Sequence, residues 1–504
     1  MYLTQSLHRL VRQDADRVFT EQAGRVLTYG GAIDHVARLA GGLRAHGISS
    51  GDRVAVLALN SDRYIHLLFA VPWADAVLVP INIRWSMKEI KYALADSEAR
   101  VLFVDDAFAA LVEPLKDELP QLSTVVHIGD GTPSEGTMAL AQFTGEPVPD
   151  AHRRGDQLAG IFYTGGTTGA PKGVMLSHRN LTVAALGFNA VTEQSPSGVF
   201  LDAAPLFHLA ALSACLGATQ LGYTHVPLTI FHPPAVLETI QQYKVTDTVL
   251  VPTMMQMLVD HPEFDQFDLT SLRQLIYGAS PIPEALITRL RQSLPRTRLI
   301  QGYGMTELGP ITTVLQDADH DHPQRRRSAG QCVPHALIKI VDPEGNEVPS
   351  GAVGEIVVSG DHVMLGYWNK PEETAEAIRD GWMYTGDGGY LDADGYLYVV
   401  DRVKDMIISG GENVYSAEVE NVISLHPAVA QCAVIGVPDS RWGERVHAVL
   451  RLVPDADLTL EELRAHCKEY IAGYKTPKSV EFVAELPLSA VGKILKTELR
   501  RRNQ

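Results

Sequence analysis

Short apolar runs alternate with amphipathic segments through much of the chain, and this alternation restricts the possible folds more than any other feature. "RVAVLAL" at Arg53–Leu59 predicts a buried strand, and "DRYIHLLFAVPWA" after it has the spacing of a helix. The pattern continues to residue 106 and returns between residues 245 and 304. Alternating strands and helices favour a parallel sheet with helices on its faces. We therefore expect an α/β fold with parallel sheets in two similar halves.

The character of the sequence changes near Ala336. From there, short alternating runs around Gly, Pro and Asp turns predict antiparallel hairpins. After Asp401 a smaller set of helices and strands follows, and 504 residues are many for a single domain. We predict a large N-terminal domain over residues 1–400 that includes a β-rich subdomain. A small C-terminal α+β domain is predicted over residues 401–504, with the boundary between Asp401 and Lys404.

Charge and cysteine content exclude several classes of protein. The chain has 43 Lys and Arg against 60 Asp and Glu, a net charge of −17, so we expect no nucleic-acid partner. Its four cysteines lie far apart, which indicates neither a disulfide framework nor a cysteine zinc site and fits a reducing cytoplasm. The most apolar run, Ala203–Ala218, is too short to cross a bilayer and predicts a buried turn and helix. We expect a cytoplasmic protein with no transmembrane segment, while a homodimer remains one open option for its assembly.

A glycine-rich loop carries the strongest chemical signal. "YTGGTTGAPKGV" at Tyr163–Val174 holds four glycines, three threonines and one lysine. Glycines let successive N–H groups turn toward one ligand, and such a nest binds phosphate oxygens. Pro171 before Lys172 excludes the G-x-x-x-x-G-K loop, and the adjacent glycines Gly165 and Gly166 exclude G-x-G-x-x-G. The stretch predicts a polyphosphate loop of neither common kind.

This loop resembles the phosphate loop of the adenylate-forming superfamily of AMP-binding enzymes, which includes acyl-CoA synthetases, adenylation domains of peptide synthetases and firefly-type luciferases. The superfamily signature runs Tyr-Thr-Ser-Gly-Thr-Thr-Gly-x-Pro-Lys-Gly, and Gly165 stands where serine is usual. Glycine at this position lacks the serine hydroxyl, so one expected hydrogen bond to phosphate is in doubt. The backbone N–H donors of the loop are unaffected. Further segments resemble the superfamily's motifs in the same order: "PLFHLA" (205–210), "YGAS" (277–280), "QGYGMTE" (301–307), "YTGD" (384–387), "DRVKDMIISGGENVYSAEVE" (401–420) and "PLSAVGKILKTELR" (487–500). Together they span nearly the whole chain and favour the branch of acyl-CoA synthetases, or fatty-acid–CoA ligases.

The resemblance implies two half-reactions. A substrate carboxylate attacks the α-phosphate of ATP and gives an acyl-adenylate and pyrophosphate, and the thiol of coenzyme A then displaces AMP. The site must neutralise the approach of two anions and the charge that develops on phosphorus. Between the half-reactions the small domain rotates about a hinge that maps to Lys404.

The resemblance also implies a role for individual residues. Lys493 reaches the carboxylate and the α-phosphate, Glu307 and Thr164 hold Mg²⁺, Thr306 donates to the α-phosphate, and His208 borders the acyl site and gates the approach of the thiol. The expected nucleotide-binding residues are Thr164, Gly165, Gly166, Thr167, Thr168, Gly169, Lys172, Gly278, Ala279, Ser280, Gly302, Tyr303, Gly304, Asp387 and Arg402. In that set, Tyr303 lies against the adenine, and Asp387 and Arg402 share the ribose.

The acid substrate is the least constrained part of the prediction. The segments expected to line the acyl pocket, "PLFHLAALS", "VPTMMQML" and "YGAS", contain no charged residue. Burying a second substrate charge there would be costly, so we expect a medium- or long-chain fatty acid first and an aryl acid of the cinnamate or benzoate type second. An adenylation enzyme that loads a carrier protein would use the same first step, but such domains usually sit beside a carrier domain, and we expect none after "RRRNQ". No motif in the sequence points to a luciferase-like oxygenase. A non-catalytic nucleotide-binding module would not account for the presence of Lys493, Glu307 and Asp387 together.

Overall fold

The computed structural model describes residues 1–164, 171–193, 197–280, 282–402, 406–409, 412–439, 441–488 and 494–503. For residues 401, 402, 408, 412 and 413 it describes the backbone alone. In chain order, the strands are β1 Val18–Gln22, β2 Arg25–Thr28, β3 Arg53–Leu57, β4 Val77–Pro80, β5 Val101–Val104, β6 Thr124–His127, β7 Met138–Ala139, β8 Leu158–Thr164, β9 Lys172–Ser177, β10 Val199–Asp202, β11 Thr224–Pro227, β12 Asp247–Leu250, β13 Gln274–Gly278, β14 Arg298–Tyr303, β15 Thr313–Leu315, β16 Gln331–Cys332, β17 Ala336–Val341, β18 Gly354–Gly360, β19 Gly366–Tyr367, β20 Ile378–Arg379, β21 Trp382–Leu391, β22 Leu397–Arg402, β23 Ile407–Ser409, β24 Glu412–Val414, β25 Val429–Asp439, β26 Gly443–Leu452 and β27 Ser479–Phe482.

Helices connect most of the parallel strands. They are α1 Gln5–Gln13, α2 Tyr29–Ala45, α3 Asp62–Trp73, α4 Met87–Asp96, α5 Val112–Glu118, α6 Leu140–Phe143, α7 His178–Val191, α8 Leu209–Leu221, α9 Pro233–Tyr243, α10 Pro252–Val259, α11 Glu284–Ser293, α12 Pro371–Ala377, α13 Ser416–Ser424, α14 Leu460–Lys468 and α15 Lys496–Arg502. Short 3₁₀ turns lie at Asp106–Leu111, Phe264–Gln266, Thr306–Leu308, Asp317–Asp321 and Arg325–Arg327. Among the described residues, no helix is both long enough and apolar enough to cross a lipid bilayer.

Polar caps fix where several helices begin. Ser86 and Glu89 form a reciprocal capping box at the start of α4, and Thr459 and Glu462 form another at the start of α14. The side chain of Ser61 accepts a hydrogen bond from a backbone N–H in the first turn of α3. Each cap satisfies N–H groups that have no partner within the helix. The capping residues in the local sequence therefore determine where these helices begin.

Two large sheets form the N-terminal part of the molecule. One has eight strands in the order β19-β9-β8-β4-β3-β5-β6-β7, and the other has nine in the order β16-β15-β14-β13-β12-β10-β11-β1-β2. Their central strands are parallel, which confirms the predicted α/β class. Both sheets are mixed at their edges, because β8 and β9 and also β14 and β15 are antiparallel. The reason for this difference from the fully parallel prediction is that short connections between adjacent strands allow only antiparallel pairing.

Two smaller sheets complete the fold. Strands β17, β18, β21 and β20, with β22 paired to β21, form the antiparallel β-rich subdomain expected after Ala336. Strands β23 to β27 form a separate five-stranded sheet, which packs with α13 and α14 into its own hydrophobic cluster. The gap between β22 and β23 coincides with the expected domain boundary near Asp401–Lys404, and the division after residue 400 stays a prediction.

Candidate active site

The hairpin of β8 and β9 frames the glycine-rich loop. Thr164 ends β8, Lys172 begins β9, and the two residues are partners in the antiparallel register. The Thr164 hydroxyl donates to the carbonyl of Lys172 over 3.4 Å. The remaining loop residues predicted to bind phosphate, Gly165, Gly166, Thr167, Thr168 and Gly169, lie outside the described residues. The hairpin therefore sets one hydroxyl and one ammonium group at the two ends of the loop.

The ends of β13 and β14 form a second side of the candidate site. Neighbouring backbone segments lie very close to one another there. Gly278 and Gly302 are register partners, and a Cβ at residue 278 would lie 2.3 Å from the carbonyl oxygen of Gly302. A Cβ at Gly304 would lie 1.9 Å from the carbonyl oxygen of Pro310. Ala279 is exposed and has a φ of 65°, a left-handed conformation that is uncommon for a residue with a side chain. The carboxyl ends of these parallel strands thus form a glycine-lined edge, the usual place for a ligand in such a sheet, and Ser280 directly follows it.

Tyr303 connects this edge to the β-rich subdomain. It ends β14 and is half-buried, and its hydroxyl donates to Oδ2 of Asp387 over 2.8 Å. Asp387 is buried in β21, and its register partner in β22 is Arg402, whose side chain is not described. The residues predicted to hold adenine and ribose therefore meet, although they come from different sheets.

Glu307 is buried, contrary to the solvated side chain that a lone glutamate would suggest. It lies in the 3₁₀ turn Thr306–Leu308 directly after β14, where the N–H of Gly309 donates to the carbonyl of Thr306 over 3.2 Å. Its side chain is covered by Tyr367, whose hydroxyl donates to Oε1 of Glu307 over 2.9 Å. Nζ of Lys172 lies 4.9 Å from the centroid of the same Tyr367 ring. The turn thus brings the predicted metal carboxylate beside the predicted phosphate lysine.

Tyr367 was not among the residues predicted from the sequence. It belongs to none of the segments that carry the resemblance, and an aromatic residue in "MLGYW" has no local pattern that marks a functional role. Burial and the neighbouring Glu307 carboxylate raise the pKa of the Tyr367 hydroxyl above its usual value. The hydroxyl therefore stays protonated and acts as a donor to the carboxylate.

His208 begins the helix that borders the predicted acyl site. It is the N-cap of α8, and its Nδ1 accepts a hydrogen bond of 3.4 Å from the N–H of Ala210. In the neutral ring this leaves the proton on Nε2. Desolvation lowers the pKa of His208 from 6.5 to about 4, so the imidazole is neutral at physiological pH. Asn60 fixes the preceding segment, because its side chain donates to the carbonyls of Asp202 and Ala204.

A buried polar network anchors α8 to the sheet beneath it. Nδ1 of His225 lies 3.0 Å from Oδ2 of Asp202, and Nε2 of His225 lies 2.9 Å from Oγ1 of Thr219. The Thr219 hydroxyl already donates to the carbonyl of Cys215, so it accepts from Nε2–H of His225. The network holds α8 against β10 and β11. No motif in the sequence marks this network, because its members lie on three separate elements, β10, α8 and β11, and meet only when these pack together.

The prediction that methionines line the acyl pocket is wrong for Met255. Met255 is fully buried and belongs to a hydrophobic cluster with Leu237, Leu275 and Leu290, on the side of the nine-stranded sheet covered by α9, α10 and α11. Met254 belongs to the same cluster and is almost fully buried. Both side chains pack against core neighbours in this structure.

The other predicted pocket residues differ in exposure. Ala211 and Leu212 are buried, Ala210 is half-buried, and Ala279 is exposed. The catalytic lysine Lys493 and the hinge residue Lys404 lie outside the described residues, so their roles stay predictions.

Comparison with known proteins identifies the family of the chain. The family described as AMP-binding enzyme matches residues 7–368, and the family described as AMP-binding enzyme C-terminal domain matches residues 418–493. The chain is 44% identical to feruloyl-CoA synthase of an Amycolatopsis species over 497 residues, which cover 98% of this chain and 97% of that protein. It is 38% identical to indoleacetate–CoA ligase of Aromatoleum aromaticum, over 94% of this chain and 93% of that protein. It is 35% identical to a long-chain-fatty-acid–CoA ligase of Bacillus subtilis, over 94% and 90% of the two chains.

Solved structures show the same fold. The anthranilate CoA ligase AuaEII, in complex with anthranoyl-AMP, superimposes with a TM-score of 0.92 at 28% identity, over all of this chain and 97% of that one. ATP-bound MatB from Rhodopseudomonas palustris gives a TM-score of 0.89 at 30% identity, over all of this chain and 99% of that one. Matches of this extent cover the two large sheets, the β-rich subdomain and the small C-terminal sheet together. The chain therefore belongs to the AMP-binding enzyme family and is an ATP-dependent, AMP-forming acid–CoA ligase.

Proposed function

We propose that this ligase acts on an aryl-substituted carboxylic acid, with a hydroxycinnamate such as ferulate as its preferred class of substrate. The observation that carries this proposal is the 44% identity, over nearly the full length of both chains, to an enzyme named feruloyl-CoA synthase. The similarity to proteins that are named for indoleacetate and anthranilate, two other aryl acids, supports the same class.

The geometry supports an aryl acid over a long aliphatic chain in one respect. Met254 and Met255, from the segment "VPTMMQML" expected to line the acyl pocket, both belong to a hydrophobic core cluster. Without them, the segments left to line the site are the start of α8 and the glycine edge at Gly278–Ser280. Small side chains and glycine backbone leave room for an aromatic ring, which can pack with its flat face against them. Long-chain fatty acids remain the second candidate because relatives named for them match at 35% identity.

We assign the adenylation step to four residues. Lys172 supplies positive charge to the phosphates, Asp387 accepts the ribose hydroxyls, and Tyr303 orients Asp387 through its 2.8 Å hydrogen bond. Thr306 donates to the α-phosphate as the charge on phosphorus develops. Fixed donors and charges of this kind stabilise a transition state without reorganising during the reaction.

Glu307 and Thr164 are assigned to Mg²⁺. The donor set fits this ion, because Mg²⁺ binds one or two protein oxygens and completes its shell with water and phosphate oxygens. Glu307 is buried and hydrogen-bonded to Tyr367, so its carboxylate is held in place before any ion binds. When bound, the ion neutralises negative charge on the phosphates and favours the attack of the carboxylate.

Lys493 and the hinge at Lys404 are assigned to the two halves of the cycle. Lys493 serves adenylation, and rotation about Lys404 then clears the route for the thiol, with neutral His208 at the start of α8 beside that route. Proline at residue 404 would fix φ and impede the rotation, so pyrophosphate release should persist while thioester formation fails. Thioester formation at the wild-type rate in Lys404→Pro would show that the hinge lies elsewhere.

The substrate assignment is tested by kcat/KM for ferulate, cinnamate, indole-3-acetate, octanoate, palmitate, acetate and malonate, measured as AMP release with ATP and coenzyme A. We expect the aryl acids to lead and malonate to be poor, because its second carboxylate would be buried without a partner. Glu307→Gln is the control for contaminating ligases, since it should lose activity with every acid. Octanoate or palmitate at the head of the series would contradict the aryl assignment and leave the ligase chemistry intact.

A further inference from the structure

Tyr367 bridges two oppositely charged groups that the proposed function assigns to the nucleotide. Its hydroxyl donates to Oε1 of Glu307 over 2.9 Å, and its ring faces Nζ of Lys172 with 4.9 Å to the centroid. Tyr367 is buried, and no role has yet been assigned to it. One side chain therefore contacts both the metal carboxylate and the phosphate lysine.

The backbone around Tyr367 holds the same two groups. Tyr367 lies in β19 opposite Val174 of β9, the strand that begins at Lys172. The N–H of Trp368 donates to the carbonyl of Gly173 over 2.7 Å. Three residues before Tyr367, the N–H of Met364 donates to the carbonyl of Glu307 over 2.8 Å. The segment from residue 364 to 368 is therefore hydrogen-bonded both to β9, which begins at Lys172, and to the 3₁₀ turn that contains Glu307.

The two contacts have different physical characters. A hydroxyl that donates to an ionised carboxylate makes a charge-assisted hydrogen bond, which fixes the orientation of that carboxylate. An ammonium group is attracted to the negative face of an aromatic ring, and this attraction tolerates some movement. Opposite charges brought into contact at a partly buried site would attract strongly and neutralise one another. Tyr367 engages the two groups through different parts of one side chain, the carboxylate through its hydroxyl and the ammonium through its ring.

We propose that Tyr367 is a positioning residue for adenylation: its hydroxyl orients Glu307 toward Mg²⁺, and its ring sets the position of Lys172 beside the phosphates. This inference rests on the proposed roles of Glu307 and Lys172. Tyr367 contacts neither substrate nor ion in this proposal, and it acts through its two neighbours.

Two substitutions separate the hydroxyl from the ring. Tyr367→Phe keeps the ring and removes the hydrogen bond to Glu307, so it should raise the Mg²⁺ concentration for half-maximal ATP–pyrophosphate exchange. A hydrogen bond to a charged group corresponds to roughly a 10- to 100-fold change. At saturating Mg²⁺ the KM for ATP should return to within about twofold of the wild type, since the phenyl ring still faces the ammonium group of Lys172. Tyr367→Leu removes both contacts and should leave the KM for ATP raised even at saturating Mg²⁺.

The chain offers a matched control in Tyr396. The hydroxyl of Tyr396 donates to Oδ1 of Asp319 over 2.9 Å, and the guanidinium of Arg325 lies 4.7 Å from its ring centroid. This group also combines a cation, a ring and a carboxylate outside the proposed site, although here the guanidinium lies 3.6 Å from the carboxylate as well. Tyr396→Phe should therefore leave the Mg²⁺ dependence unchanged, although it removes an equivalent hydrogen bond.

A binding measurement gives a readout that is independent of turnover. Mn²⁺ binding in the presence of α,β-methylene-ATP, followed by electron paramagnetic resonance, should weaken in Tyr367→Phe and stay unchanged in Tyr396→Phe. In a Glu307→Gln background, Tyr367→Phe should add less than about twofold, because coupled residues are not additive. Full additivity, or a Mg²⁺ dependence of Tyr367→Phe equal to that of Tyr396→Phe, would overturn the role of Tyr367. Failure of the wild type to bind Mn²⁺ with the nucleotide would instead overturn the proposed metal site, and the role of Tyr367 with it.

Discussion

His208 should act on the thiol half-reaction as a neutral residue, and this can be tested through pH. Desolvation lowers its pKa to about 4. At pH 5, a group with that pKa is about 90% neutral, whereas a histidine with the ordinary value of 6.5 is only about 3% neutral. The two cases differ roughly 30-fold in the amount of neutral imidazole. The magnitude is large enough for a kinetic measurement to decide between them.

The assay is single-turnover reaction of presynthesised acyl-adenylate with coenzyme A, between pH 5 and 8, in the wild type and in His208→Asn. The thiol of coenzyme A also titrates, but it affects both proteins equally and cancels in the ratio of their rates. Asparagine is a good N-cap, so it should keep the start of α8, whereas His208→Ala should lose about 1 kcal/mol of stability. We expect the ratio of wild-type to His208→Asn rates to stay constant to within about twofold down to pH 5.

A ratio that falls more than about tenfold between pH 7.5 and 5, with a midpoint near 6.5, would refute the reasoning. It would mean that the ring is well solvated in the working enzyme and titrates as an exposed histidine does. A ratio of one at every pH would show that His208 has only the capping role.

Lys493→Ala should reduce acyl-adenylate formation about 100- to 1,000-fold, the loss typical of an electrostatic contact made in the transition state, while reaction of presynthesised adenylate with coenzyme A changes little; equal losses in both steps would contradict the assignment. Gly304→Ala should lower the free energy of unfolding by about 1–3 kcal/mol in urea titrations, because the new Cβ would lie 1.9 Å from the carbonyl oxygen of Pro310 and force the backbone apart; an unchanged midpoint would show that the turn has room to move. Burial lowers the pKa of His66 and of His362 to about 3, so the unfolded chain binds more protons below pH 6.5 and stability should fall with falling pH, by roughly 2 kcal/mol per residue at pH 5. A urea midpoint that stays constant from pH 7.5 to 5 would contradict this.

Local chemistry explains which parts of the site could be predicted from the sequence. The strands on either side of the glycine loop pair as a hairpin with Thr164 opposite Lys172, a geometry that depends on a few neighbouring residues. Tyr303 and Asp387 could be named individually, but their hydrogen bond joins residues 84 positions apart. The bond between Tyr367 and Glu307 spans 60 positions, and no local pattern indicates it. Such contacts depend on how the sheets pack, which a periodic pattern does not encode.

The error at Met255 has a related cause. Helix α10, "PTMMQMLV", is apolar on most of its surface, so its sequence does not indicate which side faces the site and which faces the core. The structure places Met255 in the core with leucines from α9 and α11. Met255 is therefore not the pocket wall that the segment "VPTMMQML" was expected to supply.

The position of β19 has a consequence for how the protein is made. This strand completes the edge of the eight-stranded sheet by pairing with β9, yet Val174 and Tyr367 are register partners from distant parts of the chain. Ribosomes add about 5–20 residues per second, so the roughly 190 residues between them take about 10–40 s to synthesise. During that interval β9 is an unpaired sheet edge, the kind of surface on which chains aggregate. A truncated protein that ends before residue 360 should therefore be prone to aggregation even though its phosphate loop is complete.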